Sequence, residues 1–389
     1  MLGLTGYPRE GRRWGVRNHV LVLPAQAAAN LAARRIAEAA GAISVAHEWE
    51  AELGGPDFPR VERTLAGFAA NGNVASVLVV GVTSEDLWLA QSISRRAQTV
   101  EFIALAEYGG TAGTVAAGTK IVAQMVRAAA RAVRQPMSES QLVLGLECGG
   151  SDAFSGITAN PALGIASDLL VGAGGTSILA EIPELIGAEH LLAARAVNPQ
   201  VARQVLEVIG RFETAIRQLG VDVRGAQPAP GNIEGGLTTI EEKSLGAAKK
   251  GGSAPIAGCL EYAECATAVG LLIMDTPGHD IEQMVGMVAG GAQVVAFTTG
   301  RGTPTGSAIA PCIKIATNSA IFRRMAGDID LDAGAILPGD QTIESMGRLI
   351  YEEVIAVAGG KVTSSELHGN REFAISRVGA TVEALLQDR

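Results

Sequence analysis

The sequence predicts an α/β protein with two parallel sheets, and three observations support this fold class. Short apolar runs alternate with stretches of helical periodicity along most of the 389 residues. The run 141–146, QLVLGL, has no polar alternation, as expected for a strand that is buried on both faces of a parallel sheet. The 49 glycines lie between such runs instead of forming a linker, which is typical of tight turns between strands and helices.

The first part of the chain predicts a small α/β domain of four strand-plus-helix units. Strands are predicted at residues 19–23, 42–46, 75–80 and 100–105. Helices are predicted at residues 26–40, 60–70, 85–98 and 114–133. The polar stretch 134–140, RQPMSES, then interrupts the pattern with a proline. We therefore expect the first domain to span residues 1–138.

The remainder, residues 139–389, predicts a larger α/β domain with long connections. Strands are predicted at residues 141–146, 177–180, 270–274, 292–297 and 312–316. Helices are predicted at residues 198–219, 238–250, 280–289, 318–325 and 341–357, with an amphipathic helix at the chain end. The connection 220–236 is too long for an ordinary loop between a helix and a strand, so we expect a lid or a site-forming segment there.

Composition excludes several function classes. The formal charge is −9 without a long basic cluster, which argues against nucleic acid as the main partner. Without an apolar run of about 18 residues or an apolar signal core near the N-terminus, we expect a cytoplasmic protein that does not associate with a membrane. The four cysteines lack Cys-x-x-Cys spacing, so a zinc ribbon or a redox pair is not expected.

The segment 146–164, LECGGSDAFSGITANPALG, is the strongest candidate site. It follows the predicted strand 141–146, and sites in open α/β sheets gather at the carboxyl ends of strands. Cys148 and Asp152 offer groups that bind a metal or transfer a proton, and Ser151 offers a hydroxyl to a substrate. The alternative is a structural turn in which Ser151 or Asp152 only caps a helix.

A second candidate lies in the segment 231–246, GNIEGGLTTIEEKSLG. The spacing of Thr238 and Glu241 predicts a capping box, which gives part of the segment a purely structural explanation. The capping box does not explain Glu242 and Lys243. A lysine near the start of a helix is also unfavourable, because its charge opposes the helix dipole. We expect Lys243 to act as a base if its pKa is lowered, or as an ammonium that contacts an anion.

A third candidate is the segment 297–306, FTTGRGTPTG, which follows an apolar strand. Thr298 and Thr299 supply hydroxyls, and the Arg301 guanidinium matches a carboxylate through a bidentate fork. The alternative is a solvated loop, since clusters of glycine, threonine and proline are often loops. If functional, this segment binds the carboxylate of a small anionic substrate.

Other segments carry weaker signals. His47 ends a predicted strand beside acidic residues, where it either binds a metal, moves a proton or is simply exposed. Glu181 follows another short strand and is a further carboxylate for the main site. The glycine-rich segment 109–120 ends in Gly-Thr-Lys, which is not the order of a nucleotide-binding P-loop. Without a GxGxxG turn that opens a helix, we expect neither a nicotinamide nor a flavin cofactor.

Taken together, these blocks resemble the altronate/galactarate dehydratase family, which includes the large subunit of sulfolactate sulfo-lyase. The matching stretches are GYPR and GVRN near the N-terminus, then CGGSDAFSGITANPALG, EIPELIGAEH, GNIEGGLTTIEEKSLGAAKKGG, MDTPG, FTTGRGTPTG and DIDLDAG. They are spread over nearly the whole chain. The resemblance implies that the second domain is a larger Rossmann-like variant, and that the first domain forms part of the site and helps to build a homodimer or a higher oligomer.

The resemblance also implies the chemistry. A base removes the proton next to a carboxylate, a divalent metal stabilises the enolate, and the hydroxyl leaves as water. The metal in this family is usually iron, with manganese or magnesium as alternatives. We therefore expect a hydro-lyase that acts on a sugar acid or a small hydroxy-acid.

The predicted residues fall into three roles. The predicted proton-transfer residues are Lys243, His47 and Glu242, and the predicted metal ligands are Cys148, Asp152 and Glu181. The predicted substrate-binding residues are Arg301, Thr298, Thr299, Ser151, Asn160, Arg17 and Asn18.

Two departures from the family pattern leave alternatives open. The family tends to carry cysteines in a His-x-x-Gly-Cys-Gly block and a Gly-Cys-Glu block, but the matching stretches 47–55 and 81–85 contain none. The small β-rich domain that often precedes this region in the family does not match this sequence, and we expect a small subunit to supply it in trans. The alternatives are a sulfo-lyase acting on a sulfonated hydroxy-acid such as sulfolactate, or a non-catalytic subunit that needs a small partner.

Overall fold

Two parallel sheets form the framework of the molecule, and this confirms the predicted α/β class. The structure is a computed structural model that describes residues 4–50, 57–96 and 99–377. One sheet has four strands and the other has seven. Both sheets are parallel throughout their described pairings.

The first sheet is built from the N-terminal third of the chain in the order β3-β2-β4-β5. Its strands are β2 (His19–Pro24), β3 (Ile43–Ser44), β4 (Val74–Gly81) and β5 (Val100–Ala104). Its helices are α1 (Asn30–Ala40), α2 (Phe58–Ala69), α3 (Leu87–Ser94) and α4 (Thr111–Ala129). Two short strands, β1 (Thr5–Gly6) and β6 (Gln135–Pro136), pair antiparallel and close this part of the chain.

The second sheet has the order β13-β12-β11-β7-β8-β10-β9. Its strands are β7 (Val143–Gly149), β8 (Thr176–Leu179), β9 (Ile256–Leu260), β10 (Gly270–Met274), β11 (Val294–Thr299), β12 (Cys312–Ala316) and β13 (Leu331–Asp332). From β7 the chain first builds one half of the sheet and then returns to add β11 on the other side. The strand order therefore reverses between β7 and β11, and ligands bind outside the carboxyl ends of the strands at such a reversal.

Within the described residues, ten further α-helices connect and flank these strands. They are α5 (Ala159–Gly172), α6 (Glu189–Ala194), α7 (Pro199–Gln218), α8 (Val223–Ala226), α9 (Pro230–Glu234), α10 (Ile240–Ala248), α11 (Asp280–Ala289), α12 (Ser319–Arg324), α13 (Ile343–Ala358) and α14 (Ser364–His368). No helix in the described part of the chain is both long and apolar enough to cross a membrane.

The predicted elements agree with the structure where hydrophobic periodicity is strong. Strands β10 and β12 and helix α11 have the predicted bounds. The prediction missed α5, because its first turns lie inside the polar segment 146–164. It also missed the edge strands β9 and β13, of which β13 has only two residues. The helix predicted at the chain end falls on residues 378–389, outside the described residues.

The two sheets share one layer of helices. Side chains of α2 and α3, which follow strands of the first sheet, belong to the same hydrophobic core as Met284 and Met287 of α11 and Phe297 of β11. The opposite face of the seven-stranded sheet packs against α5, α7 and α13 in a separate core. The predicted boundary at residue 138 lies just before β7, and the assignment of independent domains stays a prediction.

Two buried asparagines before β4 connect the two parts of the chain. Asn73 Nδ2 donates to the carbonyl oxygens of Gln293 and Ile309, at 2.9 Å each, while its Oδ1 accepts from the amides of Val16 and Arg17. Asn71 Nδ2 donates to backbone carbonyls at the end of α11 and just before β11. These side chains satisfy backbone groups that would otherwise be buried without partners.

We expect Asn73→Ala to lower the free energy of unfolding by roughly 3 kcal/mol, because it leaves several buried backbone groups unpaired. Denaturant unfolding followed by circular dichroism measures the change. Gln218→Ala, at an exposed position near the end of α7, is the control and should change stability little. An Asn73→Ala protein as stable as the control would show that these hydrogen bonds do not join the two parts.

Candidate active site

The candidate site lies where the strand order reverses. The loop after β7 and the loop after β11 meet there, since the backbone amides of Gly300 and Arg301 both donate to the carbonyl oxygen of Gly150, at 3.3 and 3.1 Å. Gly150 has φ +62°, a conformation that a residue without a side chain adopts at little cost. The predicted segments 146–164 and 297–306 therefore form one wall.

The carboxyl end of β7 carries a buried cluster that consists of a thiol, two carboxylates and two lysines. Lys250 Nζ lies 2.7 Å from Cys148 Sγ and 3.2 Å from Glu184 Oε2. Cys148 Sγ in turn donates to Glu184 Oε2 at 2.9 Å. On the other side of this carboxylate, Lys243 Nζ lies 3.4 Å from Glu184 Oε1. We call Cys148, Glu181, Glu184, Lys243 and Lys250 the thiol–lysine cluster.

Glu181 enters this cluster through an uncommon backbone conformation. It follows β8 with φ +68°, which costs a non-glycine residue on the order of 1 kcal/mol or more. Its amide donates to Thr276 Oγ1 at 2.6 Å. One carboxylate oxygen, Oε2, is buried without a hydrogen-bond partner among the described residues. This strained turn directs a second carboxylate toward Cys148.

The charge states in the cluster follow from burial and from the two lysines. Burial raises the pKa of the Cys148 thiol and of Glu181, and the carboxylate of Glu184 raises both further. Burial also acts to raise the pKa of Glu184, but Lys250 and Lys243 outweigh it and lower that pKa to about 2. Burial opposes the charge of Lys250, yet Cys148 and Glu184 raise its pKa well above the ordinary value. The centre is thus an ionised Glu184 between two ammonium groups.

The cluster has the donor set of a metal site. One ligand atom each from Cys148, Glu181 and Glu184 lies within 4.8 Å of the others. The buried Glu181 Oε2 without a partner is the kind of atom that a cation satisfies. Lys250 contacts two of the three donors, so its ammonium supplies the local positive charge in this structure. A divalent cation among these donors would therefore compete with that ammonium.

Asp152, predicted as a metal ligand, is not in this group of three. Its carboxylate accepts hydrogen bonds from Ser155, Thr317 and Asn318, between 2.9 and 3.0 Å. These donors join the loop after β7 to the loop after β12. Gly300 leaves room for the carboxylate, since a Cβ there would lie 2.3 Å from Asp152 Cγ. Asp152 thus anchors the wall of the site, and the candidate metal group contains Glu184 beside Cys148 and Glu181.

Lys243 and Glu242 lie in the first turn of α10. The helix is capped by Thr239, whose Oγ1 accepts from the Glu242 amide, so the predicted capping box of Thr238 and Glu241 is wrong and the cap lies one residue later. The Glu242 carboxylate accepts from the amide and hydroxyl of Thr238, which lower its pKa. Burial opposes the charge of Lys243, but Glu184 and Glu181 raise its pKa, which favours the predicted ammonium over the predicted base.

Five of the predicted residues line one small cavity of about 10 Å³ beside the cluster. They are Ser151, Asp152, Asn160, Glu242 and Lys243. Ser151 Oγ lies 3.6 Å from Cys148 Sγ, which connects this cavity to the thiol. The cavity is far smaller than a sugar acid, so a substrate enters only if the surrounding segments move.

The threonines and the arginine of the segment 297–306 have different environments. Thr298 Oγ1 donates to Asn160 Oδ1 at 2.7 Å, which fixes α5 against β11. Thr299 Oγ1 accepts from the Gly302 amide. Arg301 is exposed, and its guanidinium makes no hydrogen bond or ion pair with a described residue. It packs on Gly231, where a Cβ would lie 1.7 Å from Nη1. Arg301 is therefore available to a carboxylate.

The long connection 220–236 covers this wall, as the prediction of a lid or a site-forming segment requires. Asn232 Nδ2 donates to the Ser151 carbonyl at 3.0 Å, and the Ala153 amide donates to the Gly235 carbonyl. Gln227 Oε1 accepts from Lys243 Nζ at 3.2 Å. The connection thus contacts both the loop after β7 and one lysine of the cluster.

A second polar group lies on the opposite face of β7. Because side chains alternate along a strand, Glu147 points away from the cluster, toward the helix layer that the two sheets share. Both its carboxylate oxygens and Lys314 Nζ are buried without a hydrogen-bond partner among the described residues. Burial and the nearby Asp280 raise the pKa of Glu147, while burial lowers the pKa of Lys314. Lys314 Nζ lies 3.4 Å from the centroid of the Phe297 ring, which favours a cation.

His47 is buried at the end of the four-stranded sheet. Its Nε2 lies 2.9 Å from the Pro24 carbonyl, and its Nδ1 accepts from the Trp49 amide, so both ring nitrogens are engaged. Burial lowers the pKa of His47. It lines a cavity of about 500 Å³ with Glu282 and Phe373, and the structure shows no contact with the thiol–lysine cluster. Its proton-transfer role stays a prediction without support from its neighbours.

Arg17 and Asn18 precede β2, at the end of the first sheet where strands begin. Arg17 forms an ion pair with Glu366 at 2.7 Å and donates to the carbonyls of Val357 and Lys361. Asn18 accepts from Arg9 and donates to the Ala129 carbonyl. The hydrogen bonds of Arg17 and Asn18 thus connect β2 to other parts of the fold. The structure does not bring these two residues to the site.

Sequence reasoning missed Glu184 and Lys250, which complete the cluster. Glu184 lies three residues after the predicted Glu181, in a single 3-10 turn that brings both carboxylates to one side. Lys250 follows α10 beside the exposed Lys249, and nothing in the pair indicates which lysine is buried. Lys314 did have a signal, since a charged residue within an otherwise apolar strand needs a reason to be there.

The comparisons with known proteins point to one family for both parts of the chain. The family model described as D-galactarate/altronate dehydratase, C-terminal, matches residues 139–381. The model described as D-galactarate dehydratase/altronate hydrolase, second domain, matches residues 6–130.

Two of the similar proteins cover nearly the whole chain, and a third covers more than half of it. The altronate dehydratase of Bacillus subtilis is 33% identical over an alignment of 390 positions, which covers 97% of this chain and 78% of that protein. The (2R)-sulfolactate sulfo-lyase subunit beta of Chromohalobacter salexigens is 36% identical over an alignment of 379 positions, which covers 96% of this chain and 97% of that protein. The galactarate dehydratase (L-threo-forming) of Escherichia coli is 42% identical over 228 residues, 59% of this chain and 43% of that protein.

The charge state of Glu184 gives a prediction on stability. Its pKa is about 2 in the fold against an ordinary 4.5, so its ionised form stabilises the fold fully above pH 4.5. This contribution, on the order of 3 kcal/mol, is lost as the pH falls from 4.5 toward 2. Glu184→Gln should therefore lower the free energy of unfolding near neutral pH, and the difference from the native protein should shrink as the solution becomes acidic.

Urea unfolding of both proteins across this pH range measures the difference. Glu241→Gln, which removes an exposed carboxylate from α10, controls for the loss of one negative charge. A Glu184→Gln difference that stays constant with pH would show that the two lysines do not hold Glu184 ionised.

Proposed function

This chain belongs to the D-galactarate/altronate dehydratase family, and from that premise we propose that it is a lyase that removes water from a sugar acid or a related small hydroxy-acid. The observation that carries this proposal is the buried thiol–lysine cluster at the end of β7. The cluster combines proton donors, carboxylates and a thiol in one buried site. The loop after β11, which contacts the loop after β7, carries Arg301, whose guanidinium makes no hydrogen bond or ion pair with a described residue. An elimination next to a carboxylate needs these groups.

The reaction breaks two bonds of the substrate. A proton leaves the carbon beside the carboxylate, and the hydroxyl on the next carbon leaves as water. The enol that remains keeps the hydroxyl on the carbon beside the carboxylate and rearranges to a 2-oxo acid. The product therefore has two hydroxyls fewer than the substrate and one carbonyl more. The protein must therefore hold the carboxylate, take one proton and give one proton.

Arg301 and Lys243 serve the first and last of these tasks. Arg301 binds the substrate carboxylate through its bidentate fork. Lys243 Nζ, an ammonium beside Glu184, gives a proton to the leaving hydroxyl. The connection 220–236 contacts both residues, so its movement admits the substrate and its return excludes water.

Cys148, Glu181 and Glu184 would hold a divalent metal of the kind that the family resemblance implies. Such a cation would supply positive charge to stabilise the enolate and would lower the pKa of Lys250. Lys250 Nζ, which lies against two of the three donors, would in its neutral form take the proton from the carbon beside the carboxylate. Lys250 is therefore the proposed base and Lys243 the proposed acid.

A second candidate reaction is elimination of sulfite from a sulfonated hydroxy-acid. It is favoured by the 36% identity to the sulfo-lyase subunit beta, which extends over 97% of that protein. The same base acts on the same carbon, and a sulfonate leaves in place of a hydroxyl. The name of that relative also supports a partner subunit for this chain, which we propose as a small β-rich protein in trans.

We expect the purified protein, alone or with such a partner, to form a 2-oxo acid from at least one member of a panel of aldonates, aldarates and small hydroxy-acids. The panel is run with ferrous, manganous and magnesium ions, and the product is detected as its semicarbazone. A parallel assay measures sulfite release from sulfolactate. Sulfite without turnover of the panel would select the second reaction, and no product from either would contradict both.

Substitution of Lys250 distinguishes metal binding by the cluster from proton transfer by the cluster. Lys250→Met removes the ammonium that competes for two metal donors, so the variant should bind a divalent metal at least about tenfold more tightly while losing turnover by about a hundredfold or more. Isothermal titration with Mn²⁺ and steady-state kinetics give the two readouts. Lys249→Met, the exposed neighbour, should resemble the native protein in both.

Cys148→Ser should weaken metal binding in the same titration, because it replaces the thiolate donor with a hydroxyl. Native turnover should also stop after exhaustive chelation and return on adding metal. If Lys250→Met keeps its turnover, or binds the metal as poorly as Cys148→Ser, the proposed roles are wrong.

A further inference from the structure

A cavity of about 500 Å³ lies where strands begin, at the opposite end of the sheets from the thiol–lysine cluster. Its walls include residues 70–72, 265–267 and 289–291. These segments precede β4, β10 and β11, which belong to both sheets. Helices α2 and α3 of the first sheet and the end of α11 from the second part of the chain meet there. The cavity therefore spans the junction of the two parts.

Four arginines face this cavity in a chain whose formal charge is −9. They are Arg12, Arg13, Arg63 and Arg96. Among the described lining residues, Glu264 alone carries a carboxylate. The ion pairs of the described residues include none of these four guanidinium groups. The cavity is thus strongly positive.

Two of the arginines are fixed by the backbone. Arg12 donates to the carbonyls of Ala70, Asn71 and Val74, between 2.7 and 3.1 Å. Arg13 donates to the Ser140 carbonyl at 2.7 Å and to the Thr176 hydroxyl at 3.2 Å. These bonds hold both side chains at the back of the cavity without neutralising their charge.

The other two arginines keep donors free. Arg63 uses Nε to bond the Tyr262 carbonyl at 2.7 Å, and its Nη1 and Nη2 make no hydrogen bond with a described residue. Arg96 follows α3 and is exposed, and its guanidinium likewise makes no hydrogen bond with a described residue. Arg63 and Arg96 therefore offer open forks to a ligand.

Neutralisation of helix ends does not explain this arrangement. The carbonyl ends of α2 and α11 carry partial negative charge, which accounts for Arg12. At α11, Asn71 already satisfies the carbonyls of Val288 and Ala292. Burial lowers the pKa of Arg63, and Arg60 and Arg96 lower it further against the opposing effect of Glu261 and Glu264. Arg96 likewise follows the carboxyl end of α3, but Arg63 lies in the middle of α2 and Arg13 bonds Ser140 and Thr176, so helix ends do not account for these two.

We propose that this cavity binds a small oxyanion that carries two or more negative charges. The forks of Arg63 and Arg96 match the oxygens of a carboxylate or a phosphate, and Arg12 and Arg13 supply further positive charge behind them. The cavity has the size of a metabolite site. The bound anion contacts both parts of the chain. This inference does not depend on the proposed reaction.

Cys265 provides a local reporter, because this exposed thiol lies in the cavity wall. The rate of its alkylation by iodoacetamide is measured by mass spectrometry of its peptide, with citrate or pyrophosphate added at constant ionic strength. We expect at least one anion to slow the reaction with a saturable dependence on concentration. Protection by citrate alone identifies a polycarboxylate ligand, and protection by pyrophosphate alone identifies a phosphate ligand.

The double variant Arg63→Gln/Arg96→Gln should raise the protecting concentration by about tenfold or more, since it removes the charged donors. Arg95→Gln is the matched control, because Arg95 adjoins Arg96 but pairs with Glu62 outside the cavity. Circular dichroism confirms that each variant is folded. The proposal is overturned if neither anion protects Cys265, or if the double variant is protected like the native protein. Neither result involves turnover, so both leave the proposed function untouched.

Discussion

The contact between Lys250 and Cys148 is the interaction around which the candidate site is organised. An ammonium with about 1% of its surface exposed would be costly without a partner. It meets a thiol at 2.7 Å and a carboxylate at 3.2 Å, and this carboxylate also pairs with Lys243. Each member fixes the charge of the next, so Glu184 stays ionised while Cys148 and Glu181 tend to stay protonated. A divalent cation that enters the thiol–lysine cluster would therefore change the protonation states of all its members together.

The topology of the seven-stranded sheet explains why this cluster lies at the end of β7. Strand β7 is central and buried, so polar groups along its length would lack water and partners. At its end, the chain leaves β7 toward one side of the sheet and later returns to β11 on the other side. The loops after β7 and β11 therefore run in different directions, which opens a crevice between them. Glycines at 150 and 300 let these loops approach each other, and Asp152 ties them to the loop after β12.

Much of this arrangement was predictable from the sequence, and the limits have physical causes. Buried strands such as 270–274 and the helix 280–289 carry periodic apolar patterns, so their bounds were found. The segment around Cys148 was found because polar residues follow an apolar run. Periodicity says nothing about contacts across long separations, so it cannot show that Lys250 meets Cys148 while Lys249 remains outside. Periodicity also cannot show that the Asp152 carboxylate accepts hydrogen bonds from Thr317 and Asn318. Nor can it show that the Arg17 guanidinium pairs with Glu366.

We propose that Cys148 belongs to a metal-binding group beside which this protein carries out its reaction. The absorption spectrum of the protein with Co²⁺ tests it most directly, because a thiolate ligand gives a charge-transfer band that oxygen ligands do not. The native protein and the Cys312→Ser control should both show the band, and Cys148→Ser should lack it. A band of equal strength in Cys148→Ser, or no band in the native protein, would contradict the claim.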